Sequence, residues 1–229
     1  MNASDTYYEE ILYPLQNGVL KTLRNCGAPF YLTGGTALHR HFYRYRYSDD
    51  LDMFVNQNER FVGYVDTAIE ALNQTGFMLD QEAFIRNENY ARVLVRDSEA
   101  ILKLDFVNDS APHFGRLVSG DVFPRIDSIR NILSNKATAL YRLESKDVAD
   151  IWAICTHYAF EWSSIMSEAN QKEIGIDAAT LGDLVRSFPK HLFDSIRWRE
   201  RPDPESFLRD LATIASDLIS VGANSLFRG

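Results

Sequence analysis

The amino-acid sequence predicts an α+β fold, in which a sheet with flanking helices is followed by an all-helical C-terminal part. Residues 30–55 are typical of a strand, a glycine turn, a basic helix and a second strand. Residues 77–107 contain three more alternating segments typical of strands, and from residue 128 apolar residues recur at helical spacing. The irregular stretch 108–124 is the candidate boundary between two domains, 1–115 and 116–229.

The first half of the chain contains two long amphipathic patterns and two short apolar runs. The long patterns predict helices at 6–26 and 59–74, and a glycine follows each of them. The short runs predict strands at 30–32 and 50–55, which a helix at about 37–45 joins. The segment therefore places a glycine turn and a basic helix between two adjacent strands.

The remaining strands and helices follow in two blocks. Three short strands are predicted at about 77–85, 90–96 and 100–107, with polar hairpin connections between them. Beyond the irregular stretch, helical spacing predicts five helices, at about 128–143, 145–158, 163–172, 178–187 and 204–221.

Composition limits the class of protein. With 229 residues, of which 45% are apolar, the chain is long enough for one large domain or two small ones. It has no run long enough to span a bilayer, and its start lacks the features of a signal peptide, so a cytoplasmic protein without a membrane partner is expected. Two cysteines are too few for a disulfide framework or a thiolate zinc site. The net charge of −8 argues against nonspecific coating of nucleic acid but leaves room for a local basic groove.

The glycine turn is a candidate phosphate site. Gly34 and Gly35 permit a tight turn and the close approach of a ligand, and Thr36 is a candidate helix cap. The first amides of a helix lack intrahelical partners and carry partial positive charge, which suits a phosphate. Such a glycine pair is a weak signal by itself.

Two carboxylates follow on the next predicted strand. Asp50 and Asp52 project from one face of a strand of period two, whereas Leu51, Met53 and Val55 face the other side. Two like charges so close together favour a cation, and Mg²⁺ is the usual one where phosphates supply further ligands. The alternative is a pair of aspartates in a solvated turn.

The residues Gly-Gly-Thr-Ala-Leu at 34–38 and Arg-Tyr-Ser-Asp-Asp-Leu-Asp at 46–52 resemble the signature of the AbiEii/AbiGii toxin family of nucleotidyltransferases. The resemblance implies the mixed-sheet core of the polymerase-β-like superfamily and a third carboxylate on a later strand. Asp105, in an otherwise apolar strand, is the candidate; the alternative is an edge-strand aspartate that faces water. Together with Asp50 and Asp52 it would bind Mg²⁺ or Mn²⁺.

A second constellation resembles the same family. Residues 136–142 contain a lysine, an Ala-Leu pair and an arginine, and a basic residue with Asp-x-x-Asp follows at 146–150. The resemblance implies that Lys136 contacts the nucleotide phosphates, that Asp150 is a further active-site carboxylate, and that the helical domain contributes both to the cleft. The alternative is a salt bridge that joins two helices, formed by Lys136, Arg142, Asp147 and Asp150.

The implied reaction is phosphoryl transfer. Two metal ions held by Asp50, Asp52 and Asp105 would activate the acceptor hydroxyl of the substrate and stabilise the leaving pyrophosphate of an NTP. Ser48 would donate to a phosphate oxygen, or serve only as a strand-start hydroxyl.

The basic helix suggests the acceptor. Residues 39–47 interleave cations with aromatic rings, which suits phosphate contacts and stacking on unpaired bases. Arg40, Arg44 and Arg46 are the candidate nucleic-acid contacts; the alternative is a helix with buried rings and solvated arginines.

The family's members act as toxins of toxin–antitoxin systems, and some add nucleotides to the acceptor end of tRNA. The resemblance therefore implies transfer of NMP from an NTP to RNA, with tRNA as the expected acceptor, a block of translation, and a cognate antitoxin. Two alternatives remain. The same site could act on a protein or small-molecule hydroxyl, or the fold could be a catalytically idle binding module.

Overall fold

The computed structural model describes residues 3–227, which form two compact units. The sheet unit comprises residues 3–42, Tyr47–Ser110 and Arg116–Asp127. The helical unit comprises Tyr43–Arg46, Ala111–Gly115 and the described chain from Ser128 onward. The predicted α+β class is confirmed. Within residues 3–227, no helix combines the length and apolar character needed to cross a membrane.

The helices of the sheet unit include two π-helical segments. The first helical stretch consists of α1 (Ala3–Thr6), a π-helix (Tyr7–Leu12) and α2 (Tyr13–Asn25). After β1, α3 (Gly34–Ala37) continues into a second π-helix (Leu38–Phe42), and α4 (Phe61–Gln74) follows β2. Wide π turns are frequent at functional sites. The second one directly follows the predicted phosphate turn.

The described residues form a six-stranded mixed sheet. Its strands are β1 (Tyr31–Thr33), β2 (Leu51–Asn56), β3 (Met78–Leu79), β4 (Ile85–Arg86), β5 (Tyr90–Arg96) and β6 (Ile101–Asp109). The spatial order is β1-β2-β6-β5-β3, and β4 also pairs with β5. Only the β2–β6 pair is parallel. The parallel pair brings the two predicted carboxylate-bearing strands side by side.

Alternation along the central strands separates a buried face from a polar one. In β2, Leu51, Met53 and Val55 are buried, and in β6 Leu104 and Phe106 are fully buried. The ring of Phe30 packs 4.8 Å from that of Phe106 and 6.2 Å from that of Phe61 in α4. Burial of these large apolar side chains stabilises one face of the sheet and leaves the aspartates on the other.

The prediction of a single strand at 77–85 is wrong, because a turn separates β3 from β4. The carboxylate of Asp80 accepts hydrogen bonds from the amides of Glu82 (3.1 Å) and Ala83 (3.2 Å). It also pairs with Arg96 of β5 at 2.6 Å. An aspartate that bonds to backbone amides two and three residues onward favours a turn over an extended strand.

The chain after β6 returns to the first strand. The amide of Leu32 donates to the carbonyl of Arg125, and the amide of Asp127 donates to the carbonyl of Leu32, both at 2.9 Å. The hydroxyl of Thr33 donates to Asp127 at 2.5 Å. Residues 125–127, which follow the stretch 108–124 predicted as irregular, therefore extend the backbone pairing beyond β1.

The helical unit follows the predicted pattern closely. Its helices are α5 (Ile129–Ala139), α6 (Ser145–His157), α7 (Trp162–Lys172), α8 (Ala178–Arg186) and α9 (Pro204–Ile219), with 3₁₀ turns at Leu140–Arg142 and Lys190–Ser195. Trp198 and Phe207 pack against each other, and each of the two also packs within 6 Å of Trp152 and of Phe193, with the rings edge to face or tilted. The second 3₁₀ turn was not predicted, since six residues are too few to show helical periodicity.

Candidate active site

The glycine turn lies directly against the first strand carboxylate. Gly34 has φ +67°, a conformation that favours glycine, and a methyl group at this position would overlap the carboxylate of Asp52. Thr33, in extended conformation, precedes the helix that begins at Gly34. Both the backbone angle and the neighbouring carboxylate therefore require a glycine here.

Thr36 is not the helix cap that the sequence predicted, since the helix begins two residues earlier. Its buried hydroxyl lies 2.9 Å from that of Ser48 and contacts the backbone carbonyl of Asp50. Ser48 is buried as well, and Gln16 donates to its carbonyl at 3.0 Å. The two hydroxyls thus fix the chain that leads into Asp50.

Parallel pairing aligns two of the three predicted carboxylates. Asp52 of β2 lies opposite Asp105 of β6 in the β2–β6 register, and Asp50 precedes β2 by one residue. The side chain of Asp105 is 10% exposed, whereas that of Asp50 is 28% exposed. The sheet thereby brings Asp52 and Asp105 together on one face, with Asp50 at the start of the strand.

Basic side chains of the sheet neutralise these carboxylates. Arg92 of β5 forms a bidentate pair with Asp105, at 2.7 Å from Nε and 3.0 Å from Nη2, and the hydroxyl of Tyr90 donates to the same carboxylate at 3.1 Å. Lys103 lies 2.6 Å from Asp50 and 3.8 Å from Asp105. The charge of two of the predicted ligands is thus balanced within the chain.

The pKa shifts follow from this pairing. Burial by itself lowers the pKa of Lys103, but the hydrogen bond and charge of Asp50 outweigh it and raise the pKa above its ordinary value. The hydrogen bond to Asp105 raises the pKa of Arg92. Burial, followed by the charge of Asp105, raises the pKa of Tyr90 to about 12. All three groups therefore keep their protons at neutral pH.

The donor set fits a divalent metal ion in part. Asp50 and Asp52 offer the hard carboxylate oxygens that Mg²⁺ prefers. In residues 3–227, however, no group of three or more His, Cys, Asp or Glu side chains is arranged to hold a metal ion. Coordination by Asp105 would share a carboxylate that Arg92 and Tyr90 already contact, so its role as third ligand stays a prediction.

The second predicted cluster lies in the helical unit and forms a buried network. Lys136 of α5 pairs with Asp147 and Asp150 of α6, both at 2.6 Å. Arg46 holds both oxygens of Asp150, at 2.6 Å from Nε and 2.8 Å from Nη2, and Arg142 pairs with Asp147 at 3.1 Å. Both aspartates have side-chain exposures of 0%. The predicted interhelical salt bridge is present, with Arg46 as an additional member.

Lys136 remains charged in this network. Burial lowers the pKa of its ammonium, but the charges of Asp150 and Asp147 outweigh burial and raise the pKa. Its side chain is 11% exposed. The geometry accounts for a structural role, and its predicted contact with nucleotide phosphates stays a prediction.

The three arginines predicted to contact nucleic acid differ in environment. Arg40 donates to Gln16 at 2.9 Å and to Asn17 at 2.5 Å, and its guanidinium stacks 4.4 Å from the ring centroid of Tyr13. Arg44 is exposed, whereas Arg46 is buried against Asp150. Arg44 is therefore the one of these three whose side chain is presented to solvent.

Sequence reasoning missed the contributions of Tyr90, Arg92 and Arg46. Alternation places Tyr90 and Arg92 on one face of β5, and the antiparallel register pairs Arg92 with Asp105. A hairpin alignment of 90–96 with 101–107 could have found this pair. No local signal connects Arg46 with Asp150, which lies 104 residues further along the chain.

The mixed sheet, with carboxylates on two neighbouring strands, suits a nucleotidyltransferase, and the comparison with known families shows that class. The family model described as nucleotidyl transferase AbiEii toxin of type IV toxin–antitoxin systems matches residues 20–211. The chain belongs to this family, which confirms the resemblance and the enzyme class inferred from the sequence.

Solved structures agree on the fold. JHP933 from Helicobacter pylori is 20% identical, with a TM-score of 0.57 over 91% of this chain and 90% of its own. A candidate nucleotidyltransferase from H. pylori is 18% identical, with a TM-score of 0.59 over 93% of this chain and 96% of its own. No curated protein sequence is significantly similar to the chain.

Proposed function

We propose that the chain transfers a nucleoside monophosphate from an NTP to RNA, at the acceptor end of tRNA, in a reaction that depends on Mg²⁺ or Mn²⁺. The observation that carries this proposal is the juxtaposition of the Gly34 turn, Asp52 and Asp105 on one side of the sheet. The modification would block translation in the cytoplasm, and a cognate antitoxin would relieve it.

The sheet residues would act by positioning and charge. Gly34, Gly35, Thr36 and Ser48 would hold the triphosphate at the turn, and the hydrogen bond between the two hydroxyls keeps Asp50 in place. Asp50, Asp52 and Asp105 would hold the divalent metal ion, which when bound supplies charge neutralisation at the phosphates. Arg92 orients Asp105 through its bidentate pair.

In this proposal Lys136 contacts the nucleotide phosphates and Asp150 is a further active-site carboxylate. A lysine suits the first task, because its ammonium is compact and mobile. The pairs with Asp147 and Asp150 would hold the ammonium until phosphates compete for it. Arg46 would keep Asp150 ionised and oriented.

The acceptor proposal rests on the basic segment at 39–47. The exposed Arg44 would make the phosphate contact, while Arg40 and Arg46 would mainly shape the surface, in keeping with their hydrogen bonds. Aromatic residues of the same segment would stack on unpaired bases at the end of tRNA.

The test is a labelling experiment with purified protein, total tRNA, Mg²⁺ and each labelled NTP in turn. We expect labelled tRNA with wild type and none with Asp50→Ala. Asp66→Ala is the matched control, because it removes an exposed carboxylate from the same unit and should leave labelling unchanged.

Other outcomes select the alternatives. Label on protein alone would replace the RNA acceptor with a protein hydroxyl. No label with any NTP, together with an unchanged cellular effect of Asp50→Ala, would indicate an idle binding module.

A further inference from the structure

Lys103 lies where a cation would bridge two of the proposed metal ligands. Its Nζ is 2.6 Å from Oδ2 of Asp50 and 3.8 Å from Oδ2 of Asp105. Lys103 and Asp105 are two residues apart on β6 and share one face of the strand. The strand itself therefore directs an ammonium towards the carboxylates.

We propose that Lys103 competes with the divalent metal ion for Asp50 and Asp105 and thereby sets the metal affinity of the site. The inference rests on the proposed function, because it requires that these carboxylates bind the metal ion. Without a metal ion the ammonium balances the negative charge of the carboxylates. A metal ion that binds Oδ2 of Asp50 must displace it, since two cations on one oxygen repel each other.

A metal ion can displace Lys103 from the carboxylates more easily than it can displace Arg92. Arg92 holds both oxygens of Asp105 in a planar, bidentate geometry, which is costly to break. Lys103 makes single-point contacts through a flexible stem, and its side chain is 32% exposed. A partly exposed ion pair of this kind is weak enough for a divalent ion to replace it.

Lys103 has both negatively and positively charged side chains close to it. Asp50, Asp52 and Asp105 attract its ammonium, and Arg92, which is bound to both oxygens of Asp105, is a second positive charge nearby. Removal of the ammonium therefore leaves the carboxylates with less compensation, and the gain in negative potential favours a metal ion.

The test is Mn²⁺ binding to the full-length protein without nucleotide, measured by calorimetry. We expect Lys103→Gln to bind Mn²⁺ about tenfold more tightly than wild type, which is the lower end of the effect that groups around a metal site have on its affinity. A gain of affinity cannot result from a variant that fails to fold.

Two control variants distinguish an effect of the ammonium beside Asp50 from an effect of the net charge of the protein. Lys103→Arg keeps a cation beside Asp50, so its Mn²⁺ affinity should not exceed that of wild type. Arg96→Gln removes one positive charge from β5, where Arg96 pairs with Asp80 rather than with a proposed ligand. Its affinity for Mn²⁺ should not rise.

Asp50→Asn distinguishes failure of this inference from failure of the proposed site. If Asp50→Asn abolishes Mn²⁺ binding while Lys103→Gln binds no more tightly than wild type, competition by Lys103 is overturned and the metal site stands. If Asp50→Asn leaves Mn²⁺ binding unchanged, the metal ion binds elsewhere, and both the site and the inference are overturned.

Discussion

At the scale of single residues, Gly34 is constrained both by its backbone angle and by the neighbouring carboxylate of Asp52. We expect Gly34→Ala to destabilise the protein by about 1–2 kcal/mol, because a left-handed backbone angle is unfavourable for alanine. The new methyl group would also push against the carboxylate of Asp52. The rate of nucleotidyl transfer should therefore fall even at temperatures at which the variant stays folded. Thermal unfolding and the tRNA labelling assay measure the two effects.

Gly63→Ala is the matched control for this substitution. Gly63 lies in α4 with no atom within 4 Å of an added Cβ, so the change should stabilise the protein by up to about 1 kcal/mol. Equal stability of the two variants would show that the turn at Gly34 tolerates a side chain.

The environment of Arg46 does not match the role that was predicted for this residue. It was predicted as a nucleic-acid contact, yet its guanidinium is buried in a bidentate pair with Asp150. We expect Arg46→Met to cost about 3 kcal/mol of unfolding free energy in urea, because it leaves Asp150 buried with less compensation. Lys136 remains as a partner and limits the loss.

Arg186→Met provides the comparison for a surface pair. Arg186 lies 3.9 Å from Asp183, and both side chains are more than half exposed, so the change should stay within about 0.5 kcal/mol. A similarly small effect for Arg46→Met would argue that water reaches Asp150 and that Arg46 is available to other partners.

At the scale of elements, α5 depends on a cap that connects it with an earlier segment. Ser128 accepts from the amide of Asn131 at 3.0 Å and donates to the carbonyl of Phe114 at 2.6 Å. We expect Ser128→Ala to lower the unfolding free energy by about 1–2 kcal/mol, since it removes the cap and leaves a carbonyl without its donor. Urea denaturation measures this loss.

The control is Ser167→Ala, at an exposed position inside α7. It should be neutral or slightly stabilising, because alanine is the better helix former. If both variants unfold at the same urea concentration, the cap of α5 contributes nothing.

The elements also show what could be predicted from the sequence. The helices of the C-terminal part were placed within one or two residues at most ends, because their apolar residues repeat over several turns. β3 and β4 contain two residues each, too few for alternation to be visible, and the side chain of Asp80 decides the turn between them. Thr36 was mistaken for a cap because a Gly-Gly-Thr sequence does not show which residue starts the helix.

From spacing alone, the candidate site was predictable only where its members lie close in sequence. Asp50 and Asp52 share a face by strand periodicity, and Asp105 followed from the family resemblance. Arg92 meets Asp105, and Lys103 meets Asp50, across neighbouring strands whose register the sequence analysis did not align. The predicted site therefore names Lys136 as its cation and omits Arg92 and Lys103, which contact the sheet carboxylates.

At the scale of the whole molecule, several groups that titrate in alkaline solution have pKa values that are shifted upward. Burial, as the largest cause, raises the pKa of Tyr43 and of Tyr90 to about 12. Burial likewise raises that of Cys155, and the pKa values of Lys103 and Lys136 are raised by their carboxylate partners against the effect of burial. Both units contain such groups, so the shift belongs to the molecule and not to one site.

A common direction of shift fixes the sign of the pH dependence. Above the ordinary pKa values of these groups, the unfolded chain loses protons that the folded chain retains. The free energy of unfolding should therefore be constant with respect to these groups at neutral pH and decline from about pH 9 to 12, by about 1.4 kcal/mol per pH unit for each proton of difference. For the lysines the lost contribution is that of their ion pairs, and for the tyrosines it is the cost of a buried phenolate.

Urea unfolding at pH 7–12, with tyrosinate absorbance followed in parallel, measures this decline. Tyr90→Phe removes one of the groups and retains its ring, so its stability should fall less steeply between pH 10 and 12 than that of wild type, because the ordinary value is 10.0 and the folded value about 12. The hydroxyl of Tyr90 also donates to Asp105, so the variant should start from a lower stability at pH 7. A wild-type curve that stays level from pH 9 to 11 would mean that these side chains are more accessible to water than their burial indicates.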